Sequence, residues 1–187
     1  MSERDPSDGI LVAGACRGDP AAFDTLVRRH YRAAFAVALA ILGRRADAED
    51  VCQDAWVRAL ERLEDCRKPD RFAYWLLQIV RNRARNYLDR RRVRAAEPLE
   101  AAMAAGPDDP QRDLDRKCLR ARLEDLLSAI PEIQREIVLL HDLEGWGHRQ
   151  IGGSLGISEI MSRQHLFQAR RRLRELLGAN ADGELSP

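Results

Sequence analysis

Residues Phe72 to Arg94, FAYWLLQIVRNRARNYLDRRRVR, constrain this chain more than any other stretch. Phe72, Trp75, Leu76, Ile79, Val80, Ala84, Tyr87 and Leu88 recur at three- and four-residue spacings, which places them on one face of an α-helix and makes that face core. Arg81, Arg83 and Arg85 fall between them, and Arg90, Arg91, Arg92 and Arg94 follow, so the polar side and C-terminal end are strongly positive. Such a surface suits a phosphate backbone, because each arginine that neutralises a phosphate releases condensed counterions. Arginines in a last helical turn also complement the helix dipole and are often simply solvated. This helix alone leaves both readings open.

The rest of the chain is also patterned for helices. DGILVAGACRGD from Asp8 reads as a short helix ending at Gly18, and Asp19-Pro20 supplies an N-cap with proline at the first helical position. Phe23, Leu26, Val27, His30, Tyr31, Ala34, Phe35, Ala38, Leu39 and Leu42 keep helical period until Gly43. Residues 46–63 form the next helix, with Val51, Ala55, Trp56, Ala59, Leu60 and Leu63 as its buried stripe and Asp47, Glu49, Asp50 and Asp54 in its acidic first turns. A loop with Lys68-Pro69 leads into the arginine-rich helix.

After Arg94 the sequence AAEPLEAAMAAGPDDPQRD loses any sustained apolar face, which marks residues 95–113 as a linker. Leu114, Cys118, Leu119, Leu123, Leu126, Leu127 and Ile130 describe another amphipathic helix, and Pro131 opens one that stops near Leu143-Glu144-Gly145. Residues 148–173, HRQIGGSLGISEIMSRQHLFQARRRL, then have the layout of a helix-turn-helix: a short helix, a turn at Gly156, Ser158 as N-cap, and a longer helix rich in arginine and glutamine. Arginine can bridge the two acceptors of guanine and glutamine can pair with adenine, so this chemistry suits a major groove. An ordinary helical hairpin with a wet surface has the same spacing. The fold expected is all-α, with two small helical domains at 8–94 and 114–178.

Composition excludes several classes. With 45% hydrophobic and 33% charged residues, the chain can pack cores and remain in water. No stretch approaches the roughly 20 apolar residues that span a bilayer, and MSERDPSDG is not a basic segment followed by an apolar run, so no membrane insertion and a cytoplasmic location are expected. Net charge is only +1, so what matters is distribution: arginines cluster at 81–94 and again at 170–174. Cys16, Cys52, Cys66 and Cys118 lack metal-ligand spacing and read as reduced thiols, and no metal or cofactor is expected. The scattered Asp, Glu and His residues give no spacing that argues for an enzyme.

Three ordered motifs carry a family resemblance: ADAEDVCQDAWVRAL at 46–60, FAYWLLQIVRNRARNYLDRRR at 72–92, and IPEIQREIVLLHDLEGW with the helix-turn-helix that follows it. Together they resemble bacterial sigma factors of the sigma-70 family, and more narrowly the extracytoplasmic-function group, which keeps only regions 2 and 4. The resemblance covers about 15–178. It implies a region 2 helical bundle and a region 4 helix-turn-helix joined by a flexible linker, in a transcription initiation factor that catalyses nothing itself. Asp47, Glu49, Asp50, Gln53, Asp54 and Arg58 match the helix that contacts the clamp helices of the largest subunit of core RNA polymerase. The flap of the second-largest subunit is the second polymerase contact implied.

For promoter DNA, Arg71, Tyr74, Asn82, Arg83, Asn86 and Arg90 match the positions that read or grip the −10 element. By periodicity Tyr74 is the exposed ring beside core Phe72 and Trp75, and an unstacked base needs such a ring. Arg163, Gln164, His165, Phe167, Gln168, Arg170 and Arg171 match the −35 reader. The resemblance also allows for an anti-sigma partner. A stand-alone helix-turn-helix regulator is the alternative reading.

The chain departs from the family pattern at several points. Gly147 stands where a capping serine is common, a change costing only a few tenths of a kcal/mol. Gly152-Gly153 should weaken the short helix by roughly 1 kcal/mol each unless packing holds it. Ile160 to His165 replaces the usual start of the reading helix, with Ser162 at an apolar core position, which puts the sequence preference at −35 in question.

Overall fold

The computed structural model of the chain describes residues 6–96, 119 and 121–183. All regular structure among these residues is helical. Helices α1 (Asp8–Cys16), α2 (Pro20–Leu42), α3 (Arg45–Glu61) and α4 (Phe72–Ala96) make the first half, with two 3₁₀ turns, Leu63–Asp65 and Pro69–Arg71, between α3 and α4. The second half contains α5 (121–128), α6 (Glu132–Val138) running into a π-helical turn at Leu139–Leu143, α7 (His148–Leu155) and α8 (Glu159–Gly183). The expected linker at 95–113 and the expected helical start at Leu114 lie, apart from residues 95 and 96, outside the described residues.

The helix boundaries follow from local chemistry. The Asp19 side chain accepts from the Ala21 N–H at 3.0 Å, Pro20 occupies the first turn, and Gly43 ends α2 with a left-handed φ of 72°. In the first half α2, α3 and α4 pack around Leu26, Val37, Cys52, Phe72, Leu76 and Val80, and Ala34, Ala38, Ala55 and Ala59 let the helices approach closely. Removing each of these large apolar side chains from water contributes about 1.5–3 kcal/mol. α1 is held at the edge of the bundle by Asp8, whose carboxylate meets His30 Nε2 at 2.9 Å and Arg29. One expectation fails here: Leu60 is not core but 52% exposed, beside Val57 at 59%. The α3 stripe is closed instead by Ala48 and Cys52.

In the helix-turn-helix, Ile151, Leu166 and Ala169 are buried together with Ile137 and Leu140. Gly156 turns the chain with φ 71°, and Ser158 caps α8 by accepting from the Met161 N–H at 3.1 Å. The missing serine at Gly147 is partly offset, since the Gln150 side chain accepts from the Gly147 N–H at 3.0 Å. Ser162 is fully buried, and its Oγ lies 3.0 Å from His148 Nδ1, so its hydroxyl has a partner inside the motif.

The two halves touch. Ile137, Leu140 and Ile151 belong to the same apolar cluster as the α2 and α4 residues, and Tyr74, Gln78, Arg81 and Arg85 of α4 form a stripe facing α6, α7 and Trp146. Arg81, expected on the positively charged polar side of α4, is only 3% exposed because Glu136 and Ser154 cover it.

Candidate nucleic-acid interface

The acidic first turns of α3 divide into two sets. Asp47 points to α4, where its carboxylate accepts from the Tyr87 hydroxyl at 2.9 Å and from Arg91 at 3.0 Å. This bond, with burial, pushes the Tyr87 phenol up. Glu49 pairs with Arg45 at 2.7 Å and Arg58 with Glu61 at 2.9 Å, both within α3. Asp50, Gln53 and Asp54 are exposed on the same helix as Val57 and Leu60. An acidic patch grading into an apolar one is a surface for a basic, partly apolar protein partner. Leu60 escaped the sequence reading because its place beside core residues made it look buried, and Val57 was not singled out there.

On α4, Arg71, Asn82, Asn86 and Arg90 are exposed, whereas Arg83 is half-buried, its Nε buried with no hydrogen-bond partner among the described residues. Tyr74 is half-buried. Its ring centroid lies 6.1 Å from that of Trp146, and its ring atoms would be 3.7 Å from a Cβ at Gly153. Tyr74 and Trp146 also line a cleft of about 530 Å³ with Arg71, Arg29, His30 and Gln150. The six residues therefore share one helix and its lead-in turn, but they do not form one open face.

α8 presents Arg163, Gln164, Phe167, Gln168, Arg170 and Arg171 to solvent, with Phe167 64% exposed, and Ile160 and Met161 are exposed at its start. His165 is half-buried, and its buried Nδ1 has no hydrogen-bond partner among the described residues. Each arginine carries an internal partner: Arg163 with Glu159, Arg170 with Asp142, and Arg171 with Glu175 at 3.1 Å. Asp142 is pushed up by burial, but Arg170 and His141 outweigh this and hold it below the usual carboxylate range. Gln168 meets Gln134 at 3.3 Å. These contacts hold arginine forks, amides and apolar tips on an exposed helix, groups whose chemistry can match guanine, adenine and the thymine methyl.

Comparison with known proteins bears directly on this arrangement. Residues 26–94 match the model for Sigma-70 region 2, and residues 120–173 match that for Sigma-70, region 4. RNA polymerase sigma factor NccH of Alcaligenes xylosoxydans xylosoxydans is 30% identical, over 92% of this chain and 96% of its own length. The chain belongs to the sigma-70 family. Within that family it is a sigma factor of the extracytoplasmic-function group, and such factors bind core RNA polymerase and direct promoter recognition.

A probable RNA polymerase sigma factor, RfaY of Xanthomonas campestris pv. campestris, is 37% identical over 87% of this sigma factor, which spans only 42% of that relative's length. The solved structure of CnrH in complex with the cytosolic domain of CnrY superposes with a TM-score of 0.67 at 30% identity, covering 93% of this chain and 99% of that one. Among the described residues of the sigma factor no helix is long and apolar enough to cross a membrane, and no three His, Cys, Asp or Glu side chains converge as a metal site.

Proposed function

We propose that residues 8–94 dock on core RNA polymerase and engage the −10 element, and that residues 114–178 engage the −35 element. The observation that carries this reading is the exposed α3 face, where Asp50, Gln53 and Asp54 adjoin Val57 and Leu60 on the helix that the family uses for the clamp of the largest subunit. Asp47 is a brace for α4 in this reading, through Tyr87 and Arg91, and not itself a docking residue. Arg71, Tyr74, Asn82, Arg83, Asn86 and Arg90 serve the −10 element, and strand opening follows because captured bases bind better melted than paired.

The −35 element is read by α8 through Arg163, Gln164, His165, Phe167, Gln168, Arg170 and Arg171, while the second half also meets the polymerase flap. Because CnrH is held by the cytosolic domain of a second protein, an anti-sigma partner of similar kind is part of the proposal. The test adds purified protein to core bacterial RNA polymerase on genomic DNA. Transcripts starting at discrete sites support the reading, and their upstream sequences identify what α8 reads. A chain that never binds core polymerase but binds duplex DNA tightly alone is a stand-alone regulator instead.

A further inference from the structure

Among the described residues Ile160, at 75%, is the most exposed large apolar side chain, and Met161 beside it is 46% exposed. Neither is needed to close the motif. Ser162, Leu166 and Ala169 form the buried side of α8, and Ile160 lies nearly opposite Ser162 around the helix. Gln164 follows at i+4 from Ile160 and i+3 from Met161, so its exposed amide sits one turn on, flanked by the two apolar tips. Arg163 beside them pairs with Glu159, and exposed Arg170, Arg171 and Arg174 continue along the helix. An apolar patch ringed by guanidinium groups is complementary to a groove walled by phosphates, and it opposes docking on a basic protein face.

We propose that Ile160, Met161 and Gln164 form one reading unit for A·T pairs in the −35 element, with Gln164 bonding the N6 and N7 edge of adenine and the two apolar tips packing on thymine C5 methyl groups; the proposal rests on the functional reading above. Residues at the start of a reading helix are the ones that meet base edges in the major groove. Thymine alone offers a methyl group there, and adenine alone sets an amino donor beside N7. A G·C pair is disfavoured at the same place, because cytosine turns its amino group toward the apolar tips and loses water without gaining an acceptor. The departure of Ile160 and Met161 from the family pattern is then a change in which bases are read, and Ile160 and Met161 join the −35 residues as specificity determinants.

Promoter duplexes with a fixed −10 element and a randomised −35 element are selected with holoenzyme built from the full chain and core polymerase. The selected duplex is remade with uracil for thymine in the −35 element, which removes only the C5 methyl groups. Wild-type holoenzyme should bind the uracil duplex about fourfold more weakly for each methyl contacted, the factor for burying one methyl-sized group. Ile160→Ala with Met161→Ala should bind the thymine and uracil duplexes alike and select a −35 element with relaxed A·T preference. Its fold should hold, because both side chains are exposed. Equal wild-type affinity for the two duplexes overturns the proposal, as does a double variant that keeps the full uracil penalty. A double variant that loses affinity for core polymerase while discriminating uracil as wild type does overturns it too, and gives the apolar tips to a protein contact. A wild-type chain that never joins core polymerase defeats the functional reading instead; the same two duplexes titrated with the free chain then decide whether Ile160 and Met161 read thymine.

Discussion

A Cβ placed on Gly152 would stand 2.7 Å from the carbonyl oxygen of Ile157, closer than any real side chain sits to backbone. The glycine that weakens α7 by propensity is therefore what lets α7 meet the turn into α8. Gly152→Ala should destabilise the chain by about 1–3 kcal/mol, as overpacking against backbone does, even though alanine is the better helix former. Gly153 is the internal control, because a Cβ there meets only ordinary contact with the Tyr74 ring at 3.7 Å. Gly153→Ala should be neutral or stabilising by up to about 1 kcal/mol. Denaturant unfolding of the two variants checks the pair, and equal effects would refute this account of the turn.

The α3 surface yields a sharper separation. Asp50→Lys with Asp54→Lys should abolish binding to core polymerase, and Val57→Ser with Leu60→Ser should weaken it by at least about tenfold, each with the melting temperature nearly unchanged because all four side chains are exposed. Asp47→Ala should do the reverse. Losing the acceptor for Tyr87 and Arg91 costs about 1–3 kcal/mol of stability, while polymerase affinity of the folded fraction holds. Competition binding against a labelled sigma factor, beside thermal melts, tests both halves of this contrast.

How far the sequence could be read depended on whether neighbours in space were also neighbours in pattern. Asp19-Pro20, Gly43, Gly156 and Ser158 announce helix ends through local chemistry, and each does what its residue type suggests. The core faces of α2 and α4 follow from period alone. Arg81 did not, because Glu136 and Ser154 of the other half bury it, and no local periodicity records a contact 55 residues away. Leu60 failed in the opposite sense: an apolar residue beside a core stripe is indistinguishable from core until the partner helices are placed. Gly152 looked like a defect for the same reason, since the oxygen it makes room for lies across the turn.

Acid should loosen the chain at two places in different windows. His148 is held below its ordinary 6.5 by burial and then by the charges of His141 and Arg163. The unfolded chain thus binds the proton first, so stability present above about pH 6.5 is lost as pH falls below it. Asp8 is pushed up by burial, but hydrogen bonds and charge from His30 and Arg29 outweigh this and keep it below 3.8. Its contribution is present above that value and lost only as pH falls through the lower folded one. Melting curves from pH 7.5 to 3 should show an early decline that His148→Gln flattens and a late decline that Asp8→Asn removes. A profile unaffected by His148→Gln would reject the first assignment.

On α8 the arginines and the amides should fail in different ways. Arg171 is already paired with Glu175, so gripping a phosphate exchanges one carboxylate partner for another anion and releases counterions. Arg171→Ala should weaken polymerase-bound promoter affinity across all −35 sequences and lower the salt slope by about one. Gln168 is held toward Gln134 and can make two bonds to an adenine edge, and Gln164 is exposed beside it in the reading turn. Gln168→Ala should therefore leave the salt slope alone and cost about 1–3 kcal/mol at one base position only. Randomising the −35 element in a holoenzyme binding selection separates the two effects. If Gln168→Ala leaves the selected sequence unchanged, α8 grips the promoter without Gln168 reading it, and specificity must come from other side chains of α8 or from the −10 half.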